Sequence, residues 1–320
     1  TSGTTGNPKG VLYSHRSTII HCYAAALPDV FNISANDSIM PIVPMFHVNG
    51  WGNAYSCLMI GSKVVLPGPK MGDGETLCDL INEEKVNKSA GVPTVWMALL
   101  QYLQSSGRTV ESLESLTVGG AACPVSIMKD FEEQYGVWMN NAWGMTETSP
   151  LGTINNLLQK HEELSDTEKG AIREGQGRPP YGVELRLVDE AGHVLANDGV
   201  VQGELQIRGQ WIIDTYFGQD SSALTMDGWF DTGDVATIDP DGFMIIRDRS
   251  KDIIKSGGEW ISTVELEDIA MSHPKVAQAA AIAAQHPKWD ERPVLIAIKS
   301  DDDLTEAELL AHYEGRVASW

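Results

Sequence analysis

The segment Thr1-Ser2-Gly3-Thr4-Thr5-Gly6-Asn7-Pro8-Lys9-Gly10, followed at once by the apolar Val11-Leu12-Tyr13, decides how the chain is read. Glycines at 3, 6 and 10 let backbone N–H groups converge on an anion. The hydroxyls of Thr1, Ser2, Thr4 and Thr5 add donors, and Lys9 adds one mobile charge. A flexible linker can share this composition, but Pro8 and Lys9 lead straight into an apolar strand, which favours a built phosphate cradle. It is not a Walker A loop, because Gly-x-x-x-x-Gly-Lys-Ser/Thr is absent.

Working outward, Val11–Tyr13 reads as a short strand and Ser14 as the cap of a helix to about Ala26. Strands are expected at Ser38–Pro44, Lys63–Leu66 and Leu116–Val118, with helices at Thr76–Lys85 and Pro93–Gln104. Such alternation signals a layered α/β architecture. After about Arg178 the pattern becomes strand-rich, at Val183–Asp189, Gly203–Arg208, Val235–Ile238 and Phe243–Arg247, with a hairpin turn at Asp239-Pro240-Asp241-Gly242. From Asp252 the chain reads as a small α+β unit. It has a helix at Thr263–Met271, strands at Val276–Ile282 and Val294–Ile298, and a last helix from Thr305 with a Thr305/Glu308 capping box.

The division expected is 1–178 as the α/β part of a large domain and 179–247 as its β-rich subdomain. The 320 residues include 44 acidic and 23 basic ones, a net charge of −21. That excess disfavours nucleic acid and anionic membranes as partners, so a polyanionic substrate must be held by local donors. No apolar run approaches the roughly 18 residues of a membrane span. Cys22, Cys57, Cys78 and Cys123 lack metal-type spacing and read as reduced thiols of a cytoplasmic protein.

Further motifs follow in order: Gly119-Gly120-Ala121-Ala122, Trp143-Gly144-Met145-Thr146-Glu147, Asp231-Thr232-Gly233-Asp234, and Asp248-Arg249-Ser250-Lys251-Asp252 with Lys255-Ser256-Gly257-Gly258-Glu259. Together with Thr1–Gly10 the set resembles the adenylate-forming superfamily of acyl-CoA synthetases, luciferases and adenylation domains. The resemblance implies that Thr1, Ser2, Gly3, Thr4, Thr5, Gly6 and Lys9 hold the phosphates of ATP. Gly120, Ala121, Ala122, Trp143 and Gly144 would face adenine, and Asp234 and Arg249 the ribose. Thr146 would donate to the α-phosphate, and Glu147 would supply a hard oxygen ligand to Mg²⁺. By the same resemblance, residues 248–252 would be a hinge occupied by Lys251, and 253–320 a partial C-terminal domain.

The stretch Pro44-Met45-Phe46-His47-Val48-Asn49-Gly50-Trp51 is similar to bacterial medium- and long-chain fatty acyl-CoA synthetases and to 3-methylmercaptopropionate ligases. By that resemblance His47 lies beside the reacting carboxylate and Trp51 gates an acyl tunnel; Val118-Gly119-Gly120 would leave open volume for an acyl chain, since glycine has no side chain to fill it. The alternatives are a core histidine and a packed aromatic.

The function implied is ATP-dependent ligation of a hydrophobic carboxylic acid to coenzyme A through an acyl-adenylate, with a homodimer as the implied assembly. Rival readings are an enzyme that loads an acyl carrier protein, and a non-catalytic nucleotide-binding fragment. The chain opens at Thr1 without a methionine and ends at Trp320. A fragment is therefore expected, inactive alone, with the family's catalytic lysine beyond Trp320, since neither Lys255 nor Lys299 sits in that motif.

Overall fold

The computed structural model describes residues 8–317, apart from residues 122 and 258 and the side chain of Trp51. The chain folds into two compact units. One contains the described residues up to Arg186 with Gln206–Asp231 and Ile238–Ile245. The other contains Leu187–Leu205, Thr232–Thr237 and the described residues from Ile246 onward.

In the first unit, helix α1 (His15–Ala26) is followed by β1 (Ser38–Pro41), α2 (Val48–Ile60), β2 (Lys63–Val64), α3 (Gly74–Glu83), β3 (Lys88–Gly91) and α4 (Pro93–Ser106). Then come β4 (Ser115–Val118), α5 (Val125–Tyr135), β5 (Trp138–Gly144), β6 (Leu151–Ile154) and α6 (Asp166–Glu174). Six strands form one sheet in the order β2-β1-β3-β4-β5-β6. It is parallel except for β6, which runs antiparallel to β5. This is the α/β alternation expected from the sequence.

Local chemistry sets the helix ends. Ser14 caps α1 in a reciprocal box with Ser17, the two N–H···O bonds measuring 2.9 and 3.0 Å. Pro93 starts α4, and glycines in the left-handed region, Gly61, Gly107 and Gly136, stop α2, α4 and α5. One sheet face packs Leu116, Val118 and Met139 against Leu77, Ile81, Trp96, Leu99 and Phe131 of α3, α4 and α5. On the other face Ile39 and Cys57 of α2 meet in a smaller cluster.

Strands β7 (Val183–Val188), β8 (Gly203–Gly209), β9 (Phe230–Ile238) and β10 (Met244–Arg249) pair in the order β10-β9-β8-β7. The Asp239–Gly242 hairpin is present, with Asp239 N donating to Phe243 O at 2.9 Å. The remaining elements are β11 (Ile254–Ser256), β12 (Glu259–Ile261), α7 (Thr263–Met271), β13 (Val276–His286), β14 (Asp290–Lys299) and α8 (Glu306–His312), the strands ordered β12-β11-β14-β13.

Three local expectations are corrected. Val11–Tyr13 is not a strand, since Val11 alone makes an isolated bridge, to Tyr216. Strand β9 starts at Phe230, so the Thr232–Asp234 motif lies within it rather than before it. Thr305 does cap α8, but Glu308 does not close the box, because Lys275 takes its carboxylate at 2.9 and 3.1 Å.

Candidate active site

In the first unit, β5 ends at Gly144 and the chain turns through Thr146–Thr148 into β6. Thr148 makes this turn rigid. Met145 N donates to its hydroxyl at 2.8 Å, and that hydroxyl bonds the Pro150 carbonyl. A second segment clamps the turn from outside. Ser149 Oγ donates to Trp211 O at 2.7 Å, Ile213 N to Glu147 O at 2.9 Å, and Trp211 Nε1 to Leu151 O at 2.8 Å.

The clamp buries Glu147, which is 3% exposed. Its Oε1 accepts from the Tyr216 hydroxyl at 3.0 Å, while Oε2 is buried without a hydrogen-bond partner among the described residues. An orphaned carboxylate oxygen is expensive to bury unless something answers it. A hard cation suits the position. Among the described residues no group of three His, Cys, Asp or Glu side chains could hold a metal. A cation here would therefore take most of its oxygens from water or from a phosphate substrate.

Lys9 lies with its Nζ 4.8 Å from the centre of the Tyr216 ring, and Phe217 N donates to Gly10 O at 2.7 Å. The end of the glycine-rich segment is thus tied to the carboxylate through one tyrosine. Tyr13 OH donates to the Thr146 carbonyl. The phenols of Tyr13 and Tyr216 are both pushed well above their ordinary range, by burial first and then by the Glu147 charge, so both remain protonated donors. Sequence reading missed both tyrosines. Tyr216 stands 69 positions from Glu147 with no motif around it, whereas Tyr13 lies beside the quoted loop.

A cavity lies under α1 and α2 on the sheet face opposite the main core. It is lined by His21, Asn49, Thr117, Gly119, Gly120 and Trp143, among others, and encloses about 90 Å³. Gly144 and Pro150, which bracket the Glu147 turn, also line it. Gly152 lies so close against the Trp143 ring that a Cβ there would overlap it. Gly120 has φ +85°, and Ala121 beside it is exposed.

Two residues assigned to the acid by sequence do not line this cavity. Val118 is wholly buried in the opposite core, because side chains alternate along β4 and the cavity face carries Ser115, Thr117 and Gly119. His47 is an exposed N-cap whose Nδ1 accepts from Asn49 N at 3.2 Å, so it is not a core histidine either. Asn49, two residues on, does face the cavity. Thr1, Ser2, Gly3, Thr4, Thr5, Gly6 and Ala122 lie outside the described residues, as does the Trp51 side chain.

His21 is buried, its Nε2 accepting from Leu151 N at 3.4 Å and its ring edge-on to Trp211 at 5.7 Å. Burial lowers its pKa to about 4.

In the second unit the structure brings Asp234 and Arg249 together, Nη1 to Oδ1 at 2.7 Å, with the carboxylate buried and the guanidinium half exposed. Asp248 accepts from Arg249 N at 2.7 Å and from Thr263 Oγ1 at 2.8 Å, which pins this segment to the start of α7. Asp248, Arg249, Lys251 and Asp252 line a groove there of about 630 Å³. Lys251 is half exposed, 3.6 Å from Asp252.

A sequence profile for the AMP-binding enzyme matches residues 1–217, and one for the AMP-binding enzyme C-terminal domain matches residues 265–320. The chain is 57% identical to 3-methylmercaptopropionyl-CoA ligase of Ruegeria lacuscaerulensis and 56% identical to medium-chain-fatty-acid–CoA ligase of Ectopseudomonas oleovorans. Each match covers all of this chain and 59% of the relative, so the chain spans about three-fifths of these relatives' length. Among solved structures, o-succinylbenzoate coenzyme A synthetase from Bacillus subtilis, in complex with ATP and magnesium ion, superposes with a TM-score of 0.84 at 27% identity, over 100% of this chain and 63% of that one. With that profile matching residues 1–217, more than half of its length, this chain belongs to the AMP-binding enzyme family.

Proposed function

We propose that the protein containing this chain joins a hydrophobic carboxylic acid to coenzyme A at the expense of ATP, releasing AMP and pyrophosphate. The observation that carries the reading is the buried Glu147 carboxylate, one oxygen held by Tyr216 and the other unanswered, with Lys9 against the same tyrosine. The identity to curated acid–CoA ligases supports it.

A carboxylate anion resists thiol attack. Its oxygen would attack the α-phosphorus of ATP, forming a carboxyl–phosphate bond and breaking the bond to pyrophosphate. The thiol of coenzyme A would then attack the acyl carbon and expel AMP. The protein's share of such chemistry is positioning and charge stabilisation. Lys9 supplies a cation for the phosphates, and Thr146, whose hydroxyl has no protein partner among the described residues, a donor for the α-phosphate. Magnesium, held by Glu147, would neutralise phosphate charge. Gly120, Ala121, Ala122, Trp143 and Gly144 would face adenine, Asp234 and Arg249 the ribose, and the tail of the acid would enter the cavity bordered by Gly119. Lys251 would be the pivot of a hinge at 248–252, with 253–320 part of a mobile small domain.

The test is AMP release by the full-length protein with ATP, Mg²⁺, coenzyme A and a panel of acids. AMP is expected with at least one acid, and Glu147→Gln should lower kcat/KM about a hundredfold. No AMP with any acid would sink the reading. A cytoplasmic homodimer is the setting inferred, supported by four buried free thiols and by the subgroup resembled. A single monomeric peak by light scattering of the full-length protein would contradict the dimer.

A further inference from the structure

The cavity wall is not uniform. Much of it is apolar, with Ala25, Phe31, Ile33, Ile39 and Leu151. Most of its polar groups are answered internally. Asn53 Nδ2 donates to Asn49 O at 2.9 Å and Ser56 Oγ to Gly52 O at 3.1 Å, both within α2. Ser89 Oγ is bonded to Met40 O, and Lys88 pairs with Asp37 at 3.3 Å and with the Asn32 carbonyl.

Ser115 and Thr117 differ, as does the side-chain amide of Asn49 on α2. Both project from the cavity face of β4, two positions apart, which is roughly 7 Å along a strand. Among the described residues neither hydroxyl has a hydrogen-bond partner, and neither is sealed from the cavity.

We propose that Ser115 and Thr117 make the cavity selective for acids whose tail carries a hydrogen-bond-accepting atom, such as an ether or carbonyl oxygen or a thioether sulfur. The inference rests on the acid tail occupying this cavity, as in the ligase reading above. A plain alkyl tail would displace water from the two hydroxyls and leave them unanswered. A tail with an acceptor at the right depth replaces those bonds. The surrounding apolar wall still rewards the tail's methylenes, so the ligand class is mainly apolar with one polar or polarisable atom. The discrimination expected from one such hydrogen bond is about tenfold.

The test uses the full-length protein and compares a straight-chain acid with oxa analogues in which one tail methylene at a time is replaced by oxygen. The native enzyme should show a higher kcat/KM for at least one oxa acid than for the parent alkanoate. Thr117→Val, which keeps shape and removes the hydroxyl, should reduce that ratio about tenfold. Thr117→Ser should preserve it. Because the ratio is read within one variant, a general loss of activity cancels. A native preference for the alkanoate over every oxa acid, or a ratio unchanged in Thr117→Val, would overturn the inference. Absence of AMP with all acids would overturn the ligase reading instead, a result separable from an unchanged ratio.

Discussion

Tyr216 donates its phenol hydrogen to Glu147 Oε1 at 3.0 Å while its ring lies under the Lys9 ammonium, 4.8 Å from the ring centre. One side chain therefore restrains both an anion and a cation, holding the carboxylate by its hydroxyl and the lysine by its ring face.

Tyr216→Phe separates these two duties. The ring stays, so the Lys9 contact survives, but the buried carboxylate loses its side-chain donor. Loss of a hydrogen bond to a buried charged group costs about 1.5–3 kcal/mol. Urea unfolding should show a drop of that size, and Mg²⁺ should restore more stability to the variant than it adds to the native chain. Equal Mg²⁺ effects on both would argue against Glu147 as a cation ligand.

His21 gives a pH-dependent stability with a definite sign. Its pKa falls from 6.5 to about 4 on folding because burial penalises the charged ring. Between those values the unfolded chain binds the proton and the native one does not, so stability rises with pH. The contribution is complete above pH 6.5 and is lost as pH falls toward 4, the loss reaching about 3 kcal/mol below the folded pKa. His21→Gln removes the titrating group and keeps an acceptor for Leu151 N. Denaturant unfolding at pH 7 and pH 4.5 should show a visibly shallower decline in the variant. Parallel declines would refute the assignment.

The helix with its Ser14 cap, the α4 start at Pro93 and the 239–242 hairpin could be read because each is decided by neighbours a few residues apart. The Glu147 motif was local too. Its partners were not, since Tyr216 comes from a distant segment and Trp211 clamps the turn from the same region. The sequence reading puts Val118 and Gly119 together beside the acid, although adjacent strand residues face opposite ways. Applying that period would have moved the assignment to Thr117. His47 was read from resemblance, and its place as a helix cap depends on where α2 begins.

Arg249→Ala tests the pair in the second unit. Removing the guanidinium leaves the buried Asp234 carboxylate without that cation, and the half-exposed position of Arg249 tempers the loss. A decrease of about 1–2 kcal/mol in unfolding free energy is expected. Arg249→Lys should recover part of it, because one ammonium replaces a planar fork. If the pair serves the nucleotide, titration calorimetry with ATP on the full-length protein should show weaker binding in both variants. Unaltered ATP affinity would restrict the pair to a structural duty.

The alternation along β4 has a consequence for how this protein can diverge. Leu116 and Val118 anchor the core while Ser115 and Thr117, which alternate with them, line the cavity. Selection can therefore rewrite the second pair while the first stays fixed. Descendants of one robust scaffold could drift among diets without first acquiring compensating changes elsewhere.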